Sequence, residues 1–276
     1  MPFTISHVAA VLPFHRSLRR QGYFSAAIIG SMVPDLGFLL LPLRLLRSDT
    51  HSAVSLFTFS LPLGLASYWL FQLMIKPAWC AVLPSGWRTR LRDEHPVARI
   101  GNWRVWLGAA VAVLLGALTH LVWDAFTHED GRGVRMLPFL DDYGPAIEGN
   151  PLRLYRWLQF ASSVVGLAVV MVAAWKWRRG DRSVHSTAVS GQVTGSFPEL
   201  GARERHTWLA AYLLIPMTLL ILGVVRDSWN SIGRLVWRLG VRGLVGAIAS
   251  LVLVSALVRL RLALSARRLD DQTSLK

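Results

Sequence analysis

Residues Val105–Phe126 read VWLGAAVAVLLGALTHLVWDAF, a run that is apolar almost throughout but carries His120 and Asp124 near one end. A helix needs about 20 apolar residues to cross a hydrocarbon core of roughly 30 Å, so the run predicts a transmembrane helix. His120 and Asp124 stand four apart. On a helix they share one face, with Cβ atoms roughly 5–6 Å apart. Ionisable groups at that depth are expensive and are kept where a partner or a polar cavity receives them. Imidazole and carboxylate on one face are metal ligands that suit zinc, with manganese or magnesium as carboxylate-tolerant alternatives.

The rest of the chain agrees with a membrane reading. Of its 276 residues 53% are hydrophobic and only 17% are charged, yet the net charge is +14. The cations fall between apolar runs, where they select orientation and favour anionic lipid. No nucleic-acid-binding motif accompanies them, so nucleic acid is not expected as a partner. Cys80 is the single cysteine, which excludes an intrachain disulfide and a thiolate metal cage. The first fourteen residues contain no Lys or Arg and do not read as a cleavable signal peptide.

Four further runs are long enough to span: Ala53–Ile75, Trp157–Trp177, Trp208–Val225 and Val241–Ala263. A sixth, Phe24–Leu46, is interrupted by Gly30-Ser31-Met32-Val33-Pro34-Asp35, and Pro34 predicts a break near Val33. The expected fold is an all-α, multi-pass membrane bundle of about six spans, the first broken at Pro34. Its N-terminal part, 1–130, would carry a metal site; 131–156 would form an acidic loop able to cover that site; and 157–276 would add helices around a polar linker, 181–206. The opening residues predict a short apolar helix with Thr4 at its N-cap, lying in the interface or tucked among the spans. If Phe24–Leu46 spans, one side of the membrane holds about twice as many Lys and Arg as the other, which puts both termini in the cytoplasm. His51, His120 and Asp124 then lie towards the other side. His7 joins them only if its segment is embedded or Phe24–Leu46 re-enters.

The candidate ligands are therefore His7, Asp35, His51, His120 and Asp124, each in or beside an apolar segment. Thr127, on nearly the same stripe as Asp124, and His128 are further candidates. Each has a plainer alternative: a helix-to-helix hydrogen bond for His120 and Asp124, a turn or cap for Asp35, an interfacial place for His51, an ordinary helix position for His7 and a solvated loop for His128. Arg132 and Arg135 suit substrate phosphate, or simply a loop surface. His15, His95, His185 and His206 have polar or basic neighbours and read as surface groups.

Several stretches together resemble a known family. They are Pro2-Phe3-Thr4-Ile5-Ser6-His7-Val8-Ala9-Ala10-Val11-Leu12-Pro13, the Gly30–Asp35 stretch, Thr50-His51-Ser52, and His120-Leu121-Val122-Trp123-Asp124-Ala125-Phe126-Thr127-His128. Over residues 1 to about 130 the chain resembles the bacterial membrane family called domain of unknown function 4184. The order of these residues is also similar to that of inner-membrane, metal-dependent hydrolases and, more distantly, of the zinc-dependent phospholipase C and nuclease fold. That resemblance implies one zinc on Asp35, His51 and His120, a bridging Asp124, and His7 helping to hold a second ion. A third would fall to His128 and Glu129. The expected activity is metal-assisted hydrolysis of an ester or phosphoester, with a lipid-borne substrate favoured by the depth of the site. His120 and Asp124 would be central, and no Ser or Cys nucleophile is required. The other class open to the sequence is a proton- or ion-coupled transporter using the same groups; a scaffold whose polar residues only join helices is a third.

Overall fold

The computed structural model describes residues 4–20, 23–37, 50–84, 87, 91, 102–147, 149–179, 200–226 and 232–274. Long helices dominate. After a 3-10 helix over Thr4–Phe14 come α1 (His15–Arg20), α2 (Phe24–Met32), α3 (Leu56–Val82), α4 (Trp103–Thr127), α5 (Arg132–Met136), α6 (Leu154–Arg179), α7 (Ala202–Arg226) and α8 (Ile232–Ser274). Among the described residues, five helices are long and apolar enough to cross a membrane: Leu56–Val82, Trp103–Thr127, Leu154–Arg179, Ala202–Val224 and Leu239–Arg267. Large apolar side chains such as Val122, Val164, Leu213 and Leu257 remain exposed along them. A continuous apolar surface of this kind is covered by lipid rather than water. The fold is an all-α, multi-pass membrane bundle.

Three local features differ from the sequence expectation. First, α3 does not stop at Ile75 but runs through Lys76 and Pro77 to Val82. A π-helical stretch, Phe71–Ile75, directly precedes the proline and shifts the backbone register where its ring would crowd a carbonyl and its missing N–H would break the ladder. Second, the α-helix ends at Met32, as the expected break near Val33 requires, but Pro34 does not drive Val33 to extended backbone. Val33 keeps helical angles, φ −59° and ψ −41°, while residues 33–37 tighten to 3-10 geometry. The continuation of that run to Leu46 lies outside the described residues, as do residues 181–199 of the expected linker and most of the basic connection before Trp103. Third, the segment after α4 is structured. It holds α5, a 3-10 turn over Pro138–Asp141, and an antiparallel hairpin of β1 (Tyr143–Ile147) and β2 (Asn150–Arg153), which leads straight into α6.

The chain divides into two compact units, one of Phe3–Tyr68 with Ile100–Arg179, the other of Met1–Pro2, Trp69–Arg99 and Gly180–Lys276. In the first, α2 packs on α4 and the Thr4–Phe14 segment packs on α2, α4 and α6. Small residues make the α2–α4 crossing close. A Cβ on Gly116 would fall 2.1 Å from the carbonyl oxygen of Ala27, and one on Gly30 would fall 2.2 Å from that of Val113. Without a hydrophobic force between helices in lipid, such backbone approach is what holds them together. In the second unit, Ala78, Ala81 and Val82 of α3 pack with Val254, Val258 and Leu262 of α8, and Trp208, Tyr212 and Ile215 of α7 close around them.

Candidate metal centre

The close α2–α4 crossing sets the site. It places the carbonyl of Ser31 2.7 Å from His120 Nδ1, in the interior of the first unit. A carbonyl can only accept, so Nδ1 carries the proton, and in the neutral ring the lone pair lies on Nε2. His120 is fully buried, and its Nε2 has no hydrogen-bond partner. The 3-10 turn after Met32 brings Asp35 to the same point, and Thr50-His51 at the entry to α3 adds a second imidazole.

Four atoms then form a closed ring. His51 Nε2 lies 3.4 Å from Asp35 Oδ1 and 3.6 Å from Asp124 Oδ2. His120 Nε2 lies 3.6 Å from Asp35 Oδ1 and 3.5 Å from Asp124 Oδ2. One donor atom from each of the four residues lies within 4.8 Å of all the others. Charge-assisted hydrogen bonds between such groups would be about 2.7–2.9 Å long. A tetrahedron built on zinc bonds of 2.0–2.1 Å has edges of about 3.3–3.4 Å. Four of the six separations are therefore close to those of donors spaced around an ion and exceed those of groups bonded to one another. Charge agrees: two carboxylates facing neutral imidazoles at this depth are costly, and a dication balances them.

The remote atoms of the same side chains are fixed. Thr4 Oγ1 donates to Asp35 Oδ2 at 2.8 Å, Thr50 Oγ1 lies 2.7 Å from His51 Nδ1, and Ser31 holds His120 Nδ1. Such outer contacts fix the tautomer and aim of metal ligands. The Thr4 hydroxyl, expected at a helix N-cap, thus serves Asp35. The helical type explains how: 3-10 geometry eclipses positions i and i+3, so Thr4 and His7 point the same way.

His7 meets the site from its other edge. Its ring stacks on His120 with centroids 3.8 Å apart, and its Nε2 lies 3.7 Å from Asp124 Oδ1, the oxygen turned away from the four-atom ring. His7 lies outside the five spanning helices. Burial, reinforced by His120, holds its imidazole down at about 4, so it stands neutral. His128 Nδ1 is 3.5 Å from the same Oδ1, while its Nε2 faces the Gln159 amide nitrogen at 2.8 Å. An amide nitrogen donates, so the proton of His128 sits on Nδ1 and faces Asp124. In this arrangement His128 Nδ1 donates to the Asp124 backbone carbonyl at 3.3 Å and supports that residue through its main chain. Exchanging the amide oxygen and nitrogen of Gln159 would reverse the tautomer and free Nδ1 as a donor to metal.

The other sequence candidates lie at the margin. Thr127 Oγ1 touches His128 Nδ1 at 3.1 Å rather than any atom of the ring. Glu129 is exposed. Arg135 donates to the Asp130 carbonyl, closing its own turn, and Arg132 is exposed. His206 is exposed, His15 packs against Phe24, and His95 and His185 lie outside the described residues. Sequence reasoning missed Ser31 and Gln159. Ser31 acts through its carbonyl, which no side-chain pattern marks, and Gln159 arrives from a helix far along the chain. Thr50 was visible beside His51, but its role was not.

Comparison with known proteins fits the N-terminal motifs and extends them. The model of the domain of unknown function (DUF4184) matches residues 1–256, and the chain belongs to that family. No curated protein and no solved structure matches it.

Proposed function

We propose that this member of the DUF4184 family is a membrane-embedded, zinc-dependent hydrolase of esters or phosphoesters. One observation carries the reading: four buried donor atoms stand 3.4–3.6 Å apart in a ring while the far atoms of their side chains are tied down. Asp35, His51, His120 and Asp124 would hold the ion. Asp124 Oδ1, facing His7, gives the same carboxylate the means to bridge to a second ion, so the zinc count is one or two. Zinc bound there polarises a carbonyl or phosphoryl oxygen and makes water nucleophilic near neutral pH. The chain's own part is to orient the ligands through Ser31, Thr4 and Thr50, and to keep bulk water out by burial. His128, half-buried beside Asp124, would support that ligand. A proton relay fits less well, because relay groups hydrogen-bond in a line and these four donors close a ring. The Lys and Arg excess supports anionic lipid contacts and, if Phe24–Leu46 makes a sixth crossing, cytoplasmic termini; the family resemblance supports the bacterial inner membrane.

Metal analysis of detergent-purified full chain, reconstituted with zinc, tests the centre. Wild type is expected to retain about one to two zinc ions per chain, to release p-nitrophenol from bis-p-nitrophenyl phosphate or a p-nitrophenyl ester, and to lose both properties in His120→Ala. Wild type as free of metal as His120→Ala would overturn the centre. Zinc bound without turnover of either ester class would overturn the hydrolase assignment alone.

A further inference from the structure

A groove of about 580 Å³ runs along the outside of the first unit, between the Thr4–Phe14 segment, α4 and α6. Leu115, Leu118, Val122 and Phe126 of α4 form its floor, with Phe14 and Leu158 at the sides. These α4 residues follow the i, i+3, i+7, i+11 stripe of one helix face. Phe14, Leu118, Val122, Phe126 and Leu158 are each exposed among the described residues, so no described segment of the chain fills the groove.

Its chemistry selects hydrocarbon. Each hydroxyl in the lining is engaged within the protein: Thr119 donates to the Gly116 carbonyl, Thr127 to that of Trp123, and Ser162 to that of Gln159 while accepting from Trp123 Nε1. Nothing there asks for a polar head group. The groove also adjoins the metal centre. Trp123 sets its ring edge against His7 at 6.1 Å, and Thr127 touches His128. His51 and His128 are the more open side chains of the centre, 12% and 14% exposed against 0–6% for His7, Asp35, His120 and Asp124. His128, the most open of them, lies beside Thr127 at the edge of the groove. Finally, length fits. From Leu115 to Phe126 the helix rises about 17 Å, close to the roughly 15 Å of hydrocarbon in one leaflet, and the centre stands at the end of the span, where head groups lie.

The geometry points to a substrate that is a membrane lipid, its ester or phosphoester head at the His/Asp centre and one hydrocarbon chain lying in the α4–α6 groove. This rests on the hydrolase reading and names its substrate class. In lipid the groove has no hydrophobic advantage over the surrounding chains. The head group therefore provides the hold, and the groove fixes the chain's path.

The test uses a non-hydrolysable probe, a hexadecylphosphonate with a diazirine in mid-chain, at trace level in phospholipid nanodiscs containing the zinc-loaded full chain. Illumination followed by peptide mapping is expected to concentrate label on residues 115–126 and Leu158. A tenfold excess of unlabelled hexadecylphosphonate should displace that label by about tenfold, and Leu118→Trp with Val122→Trp should abolish it while zinc content stays at the wild-type level. The exposed control Val164→Trp, on α6, should leave the groove label in place. Label spread evenly over lipid-facing residues such as Val164 and Leu213, on protein that holds zinc, would overturn the groove and leave the metal centre standing. Protein that holds no zinc and labels evenly would overturn both.

Discussion

Each unit buries polar side chains between apolar helices, and the two do so in opposite ways. Where α7 meets α8 in the second unit the polar atoms satisfy one another: Tyr212 Oη and Ser255 Oγ lie 2.8 Å apart, and Ser250 Oγ donates to the Tyr212 carbonyl at 2.9 Å. In the first, hydrogen bonds go to the far ends of the side chains, and the inner nitrogens of His51 and His120 are left without one. The first pattern glues helices. The second leaves buried donors that only an added group can satisfy, and an unmet buried donor or acceptor costs about 1–3 kcal/mol. Buried polarity alone therefore does not mark a site; the direction of its hydrogen bonds does.

The comparison is broken most severely by separating α2 from α4. Gly116→Leu must push the helices apart, because even its Cβ meets the backbone of Ala27 at 2.1 Å. It is expected to destabilise the first unit by at least about 3 kcal/mol and to eliminate zinc retention, since Ser31 and His120 would no longer meet. In the second unit Gly243→Ala would bring a Cβ no nearer than 3.4 Å to the Leu220 side chain, an ordinary contact, and should leave zinc content unchanged. Thermal unfolding in detergent with parallel metal analysis checks both. Equal loss of zinc in the two variants would mean that the crossing has no special role.

That crossing also shows how far the sequence could be read. Hydropathy was enough for five of the six expected spans, because a 20-residue apolar run has few alternatives; the sixth, Phe24–Leu46, is described only as far as Gly37. The residue types of Asp35, His51, His120 and Asp124 marked a meeting point because charge in an apolar run needs an explanation. Their distances were not legible. They depend on Gly30 and Gly116 allowing backbone contact and on a 3-10 turn after Met32 carrying Asp35 to the crossing. Propensity rules describe each residue locally, whereas these outcomes were decided by tertiary packing. The hairpin Tyr143–Arg153 escaped notice for a related reason. Its strands hold five and four residues, and their exposure pattern lacks the alternation that marks a half-buried strand.

A gentler change sharpens the contrast without disturbing the helices. Thr4→Val keeps the shape of the side chain and removes the hydroxyl that donates to Asp35 Oδ2. The carboxylate keeps its place in the ring but loses its anchor. Zinc affinity measured by chelator competition should fall roughly 10–100-fold, the usual effect of losing an outer partner, and the metal-free protein should lose about 1–3 kcal/mol for the buried hydrogen bond. Thr4→Ser, which retains the hydroxyl, should restore most of the affinity. A Thr4→Val protein that binds zinc as tightly as wild type would return Thr4 to the role of a helix-capping residue.

The smallest effect belongs to the glue. Tyr212→Phe deletes one hydroxyl from the contact with Ser255 and leaves the ring packed among Ala78, Val254 and Val258. Interhelical hydrogen bonds in membranes average about 0.6 kcal/mol, because the separated helices also find partners. The variant should therefore unfold at nearly the wild-type denaturant midpoint and hold the same zinc. Removing both partners, as Tyr212→Phe with Ser255→Ala, should cost no more than the worse single change, since no orphaned hydroxyl then remains. At the metal centre the same logic gives the reverse. His120→Ala leaves two carboxylates facing one another with fewer ligands to hold a cation, and deleting a second ligand cannot restore what the first removed. A double-mutant cycle in each unit separates the cases. Compensation at Tyr212–Ser255, with none at His120–Asp35, is the result expected of a glue contact in one place and a ligand set in the other.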